Sequence, residues 1–394
     1  MKNRVAIIGC GAVKIGKYPD RAESELALEA IRLALEDANI SKEQIEGLFT
    51  TPDLVGNIGL QTNLLCEYMR IAPKLMAEIC CGAIAGALAI RCAMNEIMLG
   101  RINLAVCYGA EREASIGWFK GWGSGKGSTM LEPVALQPYG SGGIIWTYAL
   151  SARRYMHETG AKEEHFALAS VRNRNNAAGN PLATFTTPIT VDDVMKSAQL
   201  SSPIKLLDAA ASRDGAAAVV VASAELAKRV CDKPVYILGW GQYHDNSCLI
   251  PVDKCNKSIS TFVATTRAAE EAFKTANITP GEVDVAQLYA PFSPHELMIP
   301  EDIGWFDKGG MITAIEKGDT EVGGKIPINT DGGLLSRGHP WAVTPIYETI
   351  AIVKQLKGEA GENQVDGARI GLVHCEGGML NNALVIILGS DGHD

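Results

Sequence analysis

Short apolar runs and helically spaced apolar positions alternate along this chain. The first run, VAIIGCG from Val5, is rich in Val and Ile and is typical of a strand covered on both faces. The segment ALEAIRLAL from Ala27 then carries apolar residues at the spacing of an amphipathic helix. Because segments of these two kinds keep alternating, the pattern predicts an α/β fold.

The same succession of segments occurs twice. Each half runs strand, helix, strand, helix, strand, which predicts two similar halves related by a pseudo-twofold axis. The matching pairs are VAIIGCG from Val5 and VYILGWG from Val235, EAIRLALEDANISKEQIEGL from Glu29 and RAAEEAFKTANITPGEVDVA from Arg267, and GRINLAVCYGAE from Gly100 and ARIGLVHCEGGM from Ala368.

The repeat also predicts the domain organisation. The first half covers residues 1–114 and is completed by a strand near 214–223, where DGAAAVVVAS is strongly apolar. The second half covers residues 232–394. Between them, residues 115–212 are rich in Gly, Asn and Pro, break the repeat, and are predicted to form an inserted domain of loops and a few helices.

The two halves bring one cysteine and one histidine to equivalent positions. Cys81 lies 19 residues before Gly100, and His339 lies 19 residues before Gly358, the glycines that align when the halves are superposed. Both residues are predicted at the start of a helix, and a pseudo-twofold axis would bring these two helix N-termini together. Cys80 is expected to point away from this shared crevice.

A helix N-terminus suits a cysteine nucleophile. Its free N–H groups and partial positive charge stabilise a thiolate, and a nearby histidine can accept the thiol proton. The glycine-rich turns beside Cys81 and after Cys375 leave room for a substrate and expose N–H groups to an oxyanion. The alternatives are a buried thiol at Cys81 or Cys375 and a helix-capping role for His339.

Composition narrows the class of protein. A formal net charge of −9 argues against general binding to nucleic acid or to anionic membranes. The ten cysteines are scattered and form no CxxC pair, which argues for reduced thiols and against a structural zinc site in this chain. We therefore expect no bound metal. No apolar segment reaches the length of a membrane span, so we also expect a cytoplasmic protein.

Three motifs, taken together, resemble the thiolase superfamily over nearly the whole chain. They are CGAIAG at Cys81, GHPWAVT at Gly338 and CEGG at Cys375. Two longer segments, ARRYMHETGAKEEHFALASVRNRNNAAGNPLATF and DVAQLYAPFSPHELMIPEDIGW, are most similar to the sterol-carrier-protein and archaeal thiolases. The resemblance implies duplicated βαβαβ halves that form a five-layered α-β-α-β-α core with an inserted loop domain.

The resemblance also implies a mechanism. Cys81 would be acylated, His339 would take its proton, and Cys375 would shuttle a proton at the substrate α-carbon. The N–H groups of Cys81 and Gly377 would form an oxyanion hole. The reaction is cleavage of a 3-oxoacyl-CoA by free coenzyme A, a cosubstrate, with no tightly bound cofactor.

The chain departs from the family pattern in two places. Tyr289 begins YAPF where many members of this branch read HDCF, and Ala83 stands where a serine is common. The phenol of Tyr289 either donates to an oxygen or fills space. This aromatic residue suggests a branched or aryl 3-oxoacyl-CoA as substrate, as in the related benzoylsuccinyl-CoA thiolase of anaerobic toluene degradation.

The resemblance further implies binding partners. Thiolases are generally dimers or tetramers, so a homodimeric core is expected, and members of this branch often pair with a small zinc-ribbon/OB-fold protein. The glycine-rich GWGSGKG could bring Lys126 to the phosphates of coenzyme A, although it lacks the strand–loop–helix context of a P-loop and is otherwise a surface loop.

Other activities stay open from the sequence. A CoA-thioester retro-aldol lyase of the thiolase-like aldolase type is favoured by Tyr289 but needs no acyl-enzyme, and so gives no reason for Cys81, His339 and Cys375. An acetoacetyl-CoA-forming acetyltransferase would run the same chemistry in the synthetic direction. A decarboxylating ketoacyl synthase would want a histidine at Cys375, and a non-catalytic acyl-CoA-binding subunit would not need the three residues.

Overall fold

The computed structural model describes residues 5–52, 61–116, 144–245, 258–378 and 381–390. Its strands are β1 (Val5–Ala12), β2 (Gly47–Thr50), β3 (Leu75–Glu78), β4 (Leu104–Glu111), β5 (Gln199–Ser201), β6 (Ile204–Lys205), β7 (Gly215–Ser223), β8 (Val235–His244), β9 (Val285–Leu288), β10 (Ile370–Gly377) and β11 (Asn382–Gly389). Its helices are α1 (Glu23–Asp37), α2 (Gln61–Met69), α3 (Ala85–Met98), α4 (Glu113–Ile116), α5 (Ile144–Thr159), α6 (Glu163–Ala178), α7 (Val191–Lys196), α8 (Ala224–Val230), α9 (Val263–Ala276), α10 (His295–Ile303), α11 (Gly310–Glu316) and α12 (Thr344–Lys357).

The described part of the chain builds a nine-stranded mixed sheet in the order β3-β2-β4-β7-β1-β8-β11-β10-β9. From its centre outwards, β1-β7-β4-β2 in the first half corresponds to β8-β11-β10-β9 in the second. The halves join where β1 pairs antiparallel with β8, through Ala6 with Tyr236 and Ile7 with Val235. The predicted duplication of the fold is therefore present as two half-sheets that share one edge.

Helices cover both faces of this sheet. On one face α1 packs against β1, β7 and β4, and α9 packs against β8 and β11. On the other face α3 packs on the first half, α12 packs mainly on the second, and the two helices contact each other. Helices on both faces of one large mixed sheet confirm the layered α/β fold expected from the sequence.

The glycines of the repeated strands let the outer helices approach closely. A Cβ atom on Gly11 of β1 would lie 2.2 Å from the carbonyl oxygen of Ala30 in α1. A Cβ atom on Gly241 of β8 would lie 2.1 Å from the carbonyl oxygen of Ala268 in α9. Any side chain at these positions would push the helix off the sheet, which explains why VAIIGCG and VYILGWG share their glycine spacing.

The segment between the repeats contributes α5, α6 and α7, and α6 packs against α10 and α11 of the second half. The division into residues 1–114, 115–212 and 232–394 stays a prediction. None of the helices in the described ranges is both long and apolar enough to cross a bilayer.

Candidate active site

Cys81 lies in the turn between β3 and α3. Gly82 has a φ of +58°, which turns the chain sharply before the helix begins at Ala85. No side chain caps the N-terminus of α3, and the N–H of Ala85, its first residue, donates to the carbonyl oxygen of Gly82 at 3.1 Å. Cys81 is partly buried, whereas the neighbouring Cys80 is exposed. The sequence placed the helix start at Cys81 itself, four residues too early.

His339 lies in the equivalent turn before α12. Its backbone N–H donates to the carbonyl oxygen of Ala211 at 3.2 Å, which fixes the turn against the segment leading into β7. On the ring, Nδ1 lies 3.0 Å from Oγ1 of Thr344, at the start of α12. Burial, and then the charge of Arg337, lower the pKa of His339 to about 3. The imidazole is therefore neutral near pH 7 and able to accept a proton.

Tyr289 directly follows β9 and contacts the histidine. Its hydroxyl lies 3.1 Å from Nε2 of His339, and the two rings meet edge to face at 5.2 Å between centroids. Burial raises the pKa of Tyr289 well above its usual value, and the charge of Glu348 adds to the effect. The phenol is thus protonated. When it donates to Nε2, the imidazole proton is on Nδ1, facing Thr344.

A cavity of about 550 Å³ connects these residues. Cys81, His339, Tyr289 and Gly377 all line it, so the structure brings four of the predicted site residues to one wall. The amide Nδ2 of Asn382 donates towards Sγ of Cys81 at 3.6 Å. Most of the remaining wall is apolar, and its large members are Ile144, Ile145, Tyr148, Leu200, Phe292 and Trp341.

Cys375 is close in sequence to this wall but does not line the cavity. It lies in β10 with no exposed surface, among the apolar residues that pack around α3 and α12. Its Sγ lies 3.7 Å from Oε2 of Glu348. Burial, and then the charge of Glu348, raise the pKa of Cys375 well above its usual value, so the thiol is protonated.

The last of the predicted site residues, Lys126, lies outside the described residues. Within the ranges that are described, no group of three or more His, Cys, Asp or Glu side chains is arranged to hold a metal ion.

Among the residues of the cavity wall that sequence reasoning missed, three carry polar groups that matter for the chemistry of the site. Asn382 pairs with Gly377 across the β10–β11 hairpin, and a hairpin predicted around CEGGMLNN would have shown their proximity. Glu376 lies within the CEGG motif and could have been considered with it. Tyr148 belongs to α5, which has no counterpart in the repeat, so no sequence signal pointed to it.

Comparison with known proteins identifies relatives whose names all belong to thiolases or thiolase-like enzymes. Residues 253–390 match the family described as thiolase C-terminal domain-like. The chain is 32% identical to the acetyl-CoA acetyltransferase of Methanothermobacter thermautotrophicus, over 97% of this chain and 98% of that protein. It is 29% identical to the benzoylsuccinyl-CoA thiolase subunit BbsB of Thauera aromatica, over 96% of each chain. The solved structure of the Ltp2-ChsH2(DUF35) aldolase superposes with a TM-score of 0.85 at 27% identity, covering 99% of this chain and 98% of that one.

Proposed function

Because this chain belongs to the thiolase superfamily, in the branch of the sterol-carrier-protein and archaeal enzymes, we propose that it cleaves a 3-oxoacyl-CoA with free coenzyme A. Its relatives make it an enzyme with thiolase or thiolase-like lyase chemistry. The thiolase alternative rests on one observation above all. Cys81, at the N-terminal end of α3, and the neutral His339 line the same cavity.

In the proposed first step, Nε2 of His339 accepts the proton of the Cys81 thiol. The sulfur attacks the 3-oxo carbonyl carbon, and the N–H groups of Cys81 and Gly377 stabilise the resulting oxyanion. The bond between the α-carbon and the 3-oxo carbon breaks. The acyl group stays on Sγ, and the shortened thioester leaves as an enolate whose α-carbon takes a proton.

In the second step, the thiol of coenzyme A gives its proton to the thiolate left at Cys375 and attacks the acyl-enzyme. The new thioester leaves, and Cys81 takes back the proton held by His339. We expect Asn382, whose amide donates to Sγ, to stabilise the thiolate before and after acylation. The α-carbon proton is expected to come from Cys375, as in the sequence prediction. Since that thiol is buried behind the cavity wall, this role requires a movement that exposes it.

A second candidate is retro-aldol cleavage of a 3-hydroxyacyl-CoA. The contact between the Tyr289 hydroxyl and Nε2 of His339 favours it. In this reaction the phenol oxygen would take the proton of the substrate β-hydroxyl while its own proton passes to His339. The carbon–carbon bond would then break to a ketone or aldehyde and a thioester enolate, without an acyl-enzyme.

The size and polarity of the cavity support a bulky acyl group. Aliphatic and aromatic side chains form most of a wall around about 550 Å³, far more than an acetyl group fills. We therefore propose a branched or aryl 3-oxoacyl-CoA as substrate, in agreement with the presence of a benzoylsuccinyl-CoA thiolase subunit among the relatives.

The chain is also proposed to work with partners. The aldolase structure joins Ltp2 with ChsH2(DUF35), which supports a partner protein for this enzyme. We propose that this partner is the small zinc-ribbon/OB-fold protein expected from the sequence, beside a homodimeric core. We further propose a cytoplasmic location, coenzyme A as cosubstrate, and no tightly bound cofactor. Size-exclusion chromatography with light scattering, alone and after co-expression with such a partner, tests the assembly.

Trapping the acyl-enzyme tests the proposed chemistry. The purified chain is mixed with a panel of 3-oxoacyl-CoA thioesters without free coenzyme A, quenched in acid, and analysed by intact and peptide mass spectrometry. An acyl adduct is expected on Cys81, with the mass of the transferred group. The matched control is Cys80→Ala, which removes the exposed neighbour and should leave the adduct intact, whereas Cys81→Ala should abolish it.

The same experiment separates the two candidate functions. If no adduct forms on Cys81 and a 3-hydroxyacyl-CoA is cleaved without coenzyme A, the thiolase proposal is wrong and the retro-aldol proposal is supported. An adduct that forms equally in Cys81→Ala would rule out Cys81 as the nucleophile.

A further inference from the structure

One carboxyl group on the cavity wall has no role in either of these two reactions. Glu376 follows Cys375 in β10, and because side chains alternate along a strand, it points to the opposite face and into the cavity. Only 2% of Glu376 is exposed. A carboxyl group so deeply buried is unusual unless it is paired.

The two oxygens of Glu376 have different surroundings. Oε1 accepts a hydrogen bond from the hydroxyl of Tyr148 at 2.8 Å, and that bond joins β10 to helix α5 of the inserted segment. Oε2 is buried and has no hydrogen-bond partner among the residues that the structure describes. The carboxyl is thus held in place at one oxygen and left unpaired at the other.

The carboxyl is a proton donor at neutral pH. Burial raises the pKa of Glu376 to about 8, against the opposing hydrogen bond from Tyr148. Since Oε1 is occupied as an acceptor, the proton is best carried by Oε2, where it has no acceptor in the described wall. A buried donor without an acceptor is costly, so the site favours a ligand that brings an oxygen to this point.

We propose that Glu376 determines substrate specificity by donating a hydrogen bond to an oxygen of the acyl group. This inference rests on the proposed function and extends it to the substrate class. The preferred acyl group is bulky and mostly apolar but carries a hydroxyl or carbonyl oxygen besides the 3-oxo group. The apolar side chains of the cavity would pack against the hydrocarbon part of the acyl group, and the carboxyl of Glu376 would donate a hydrogen bond to its additional oxygen.

Matched substrates that differ by one oxygen test the proposal. We would measure equilibrium binding to the Cys81→Ala protein, which cannot form an acyl-enzyme, for 3-oxo-3-phenylpropanoyl-CoA and its three ring-hydroxylated isomers. At least one isomer is expected to bind about tenfold or more tightly than the unsubstituted compound, as a hydrogen bond to a buried donor supports. The readout is a ratio of affinities within one protein, so an overall loss of stability does not alter it.

Two substitutions of Glu376, each combined with Cys81→Ala, separate hydrogen bonding from structure. Glu376→Gln keeps an acceptor for Tyr148 and an N–H donor on the other arm, and should retain most of the preference. Glu376→Met keeps the volume but has no donor, and should reduce the affinity ratio to within about threefold of unity.

The proposal is overturned if no hydroxylated isomer is preferred, or if Glu376→Met keeps the preference of the parent protein. Failure of the thiolase function would appear elsewhere, as absence of the Cys81 adduct in the otherwise unaltered enzyme, and would leave the affinity ratios as they are. A complete lack of binding across the four compounds would count against both proposals.

Discussion

At the scale of single residues, two groups compete for the ring nitrogen Nε2 of His339 as a proton or hydrogen-bond acceptor. The thiolase reaction requires it as the acceptor of the Cys81 proton, yet in the structure the hydroxyl of Tyr289 lies 3.1 Å from it. The two uses exclude each other at any one moment. In a thiolase, the hydrogen bond from the phenol to Nε2 must break before the thiol can transfer its proton there. In a retro-aldol enzyme, this hydrogen bond is the path by which the phenol passes its proton to the imidazole.

Tyr289→Phe distinguishes these two uses. The ring and its packing against His339 stay, but the hydroxyl is lost. If the enzyme is a thiolase, the thiolysis rate should stay within about tenfold, the effect of one hydrogen bond. Cleavage of a 3-hydroxyacyl-CoA, if present, should fall by about a hundredfold or more, because a proton-transfer group is removed. Steady-state kinetics on both substrates measure the two effects, and a thousandfold loss of thiolysis would contradict the proposed mechanism.

The low pKa of His339 gives a prediction for the pH dependence of acylation. Burial brings that pKa to about 3, so lowering the pH from 8 to 5 does not protonate the imidazole, and the base stays available. Rapid-quench measurements of Cys81 acylation should therefore show no fall with a midpoint near pH 6.5, the value of an ordinary histidine. A sigmoidal loss between pH 6 and 7 would mean that the histidine is more exposed to water in the working enzyme.

At the scale of elements, the site depends on how closely two helices pack. Cys81 precedes α3 and His339 precedes α12, and the helices touch near their N-terminal ends at Gly86. A Cβ atom on Gly86 would lie 2.8 Å from the carbonyl oxygen of Ala342 and 3.0 Å from Cγ1 of Ile346. The relative position of nucleophile and base is therefore set by a contact that admits no side chain.

Gly86→Ala should separate the helices and impair catalysis. Overpacking costs about 1–3 kcal/mol, partly offset by the better helix propensity of alanine, so the fold should survive. The acylation rate of Cys81 should fall by about tenfold or more, because a small displacement of reacting groups is costly. The control is Gly281→Ala, where a Cβ atom meets nothing within 4 Å and the rate should not change. Equal acylation rates in the two variants would show that this packing does not position the site.

The sequence predicted these elements well because each is encoded twice. The repeat alone identified β1 with β8, and α3 with α12, and it assigned Cys81 and His339 to equivalent turns. It failed in detail where tertiary contacts decide the backbone. The helices begin at Ala85 and Thr344 rather than at the two site residues. The turns before them are shaped by Gly82 at positive φ and by the bond from His339 to the segment before β7.

The cavity wall could not be predicted in the same way. The hydrogen bond between Tyr148 and Glu376 joins residues 228 positions apart, one from the inserted segment and one from the second half. Neither the repeat nor the helix and strand periodicities carry information about such a pairing. The position of Cys375 behind the wall, rather than on it, likewise depends on which face of β10 packs against α12.

At the scale of the whole molecule, several buried ionisable groups make stability depend on pH. Burial raises the pKa of Glu376 from 4.5 to about 8 and that of Asp302 from 3.8 to about 7. It lowers the pKa of three histidines from 6.5 to about 3, namely His295, His339 and His374. The histidines weaken the fold only as the pH falls below about 6.5, where the unfolded chain takes up their protons. Above pH 6.5, therefore, the buried carboxyls and not the histidines make the stability depend on pH.

Stability should therefore fall as the pH rises from 6.5 to 8. A carboxyl with a raised pKa keeps its proton in the folded chain but has lost it in the unfolded chain, so each unit of pH costs about 1.4 kcal/mol for each such proton until the folded pKa is reached. Urea unfolding at several pH values measures the slope, in high salt to screen the net charge. Glu376→Gln should reduce the dependence of the unfolding free energy on pH by up to about 1.4 kcal/mol per pH unit, the contribution of one proton. Glu164→Gln, at an exposed position, should leave this dependence unchanged. A stability that is flat or rises over this range would show that these carboxyls are ionised in the folded enzyme, which would also deprive Glu376 of the proton with which it is proposed to bind substrate.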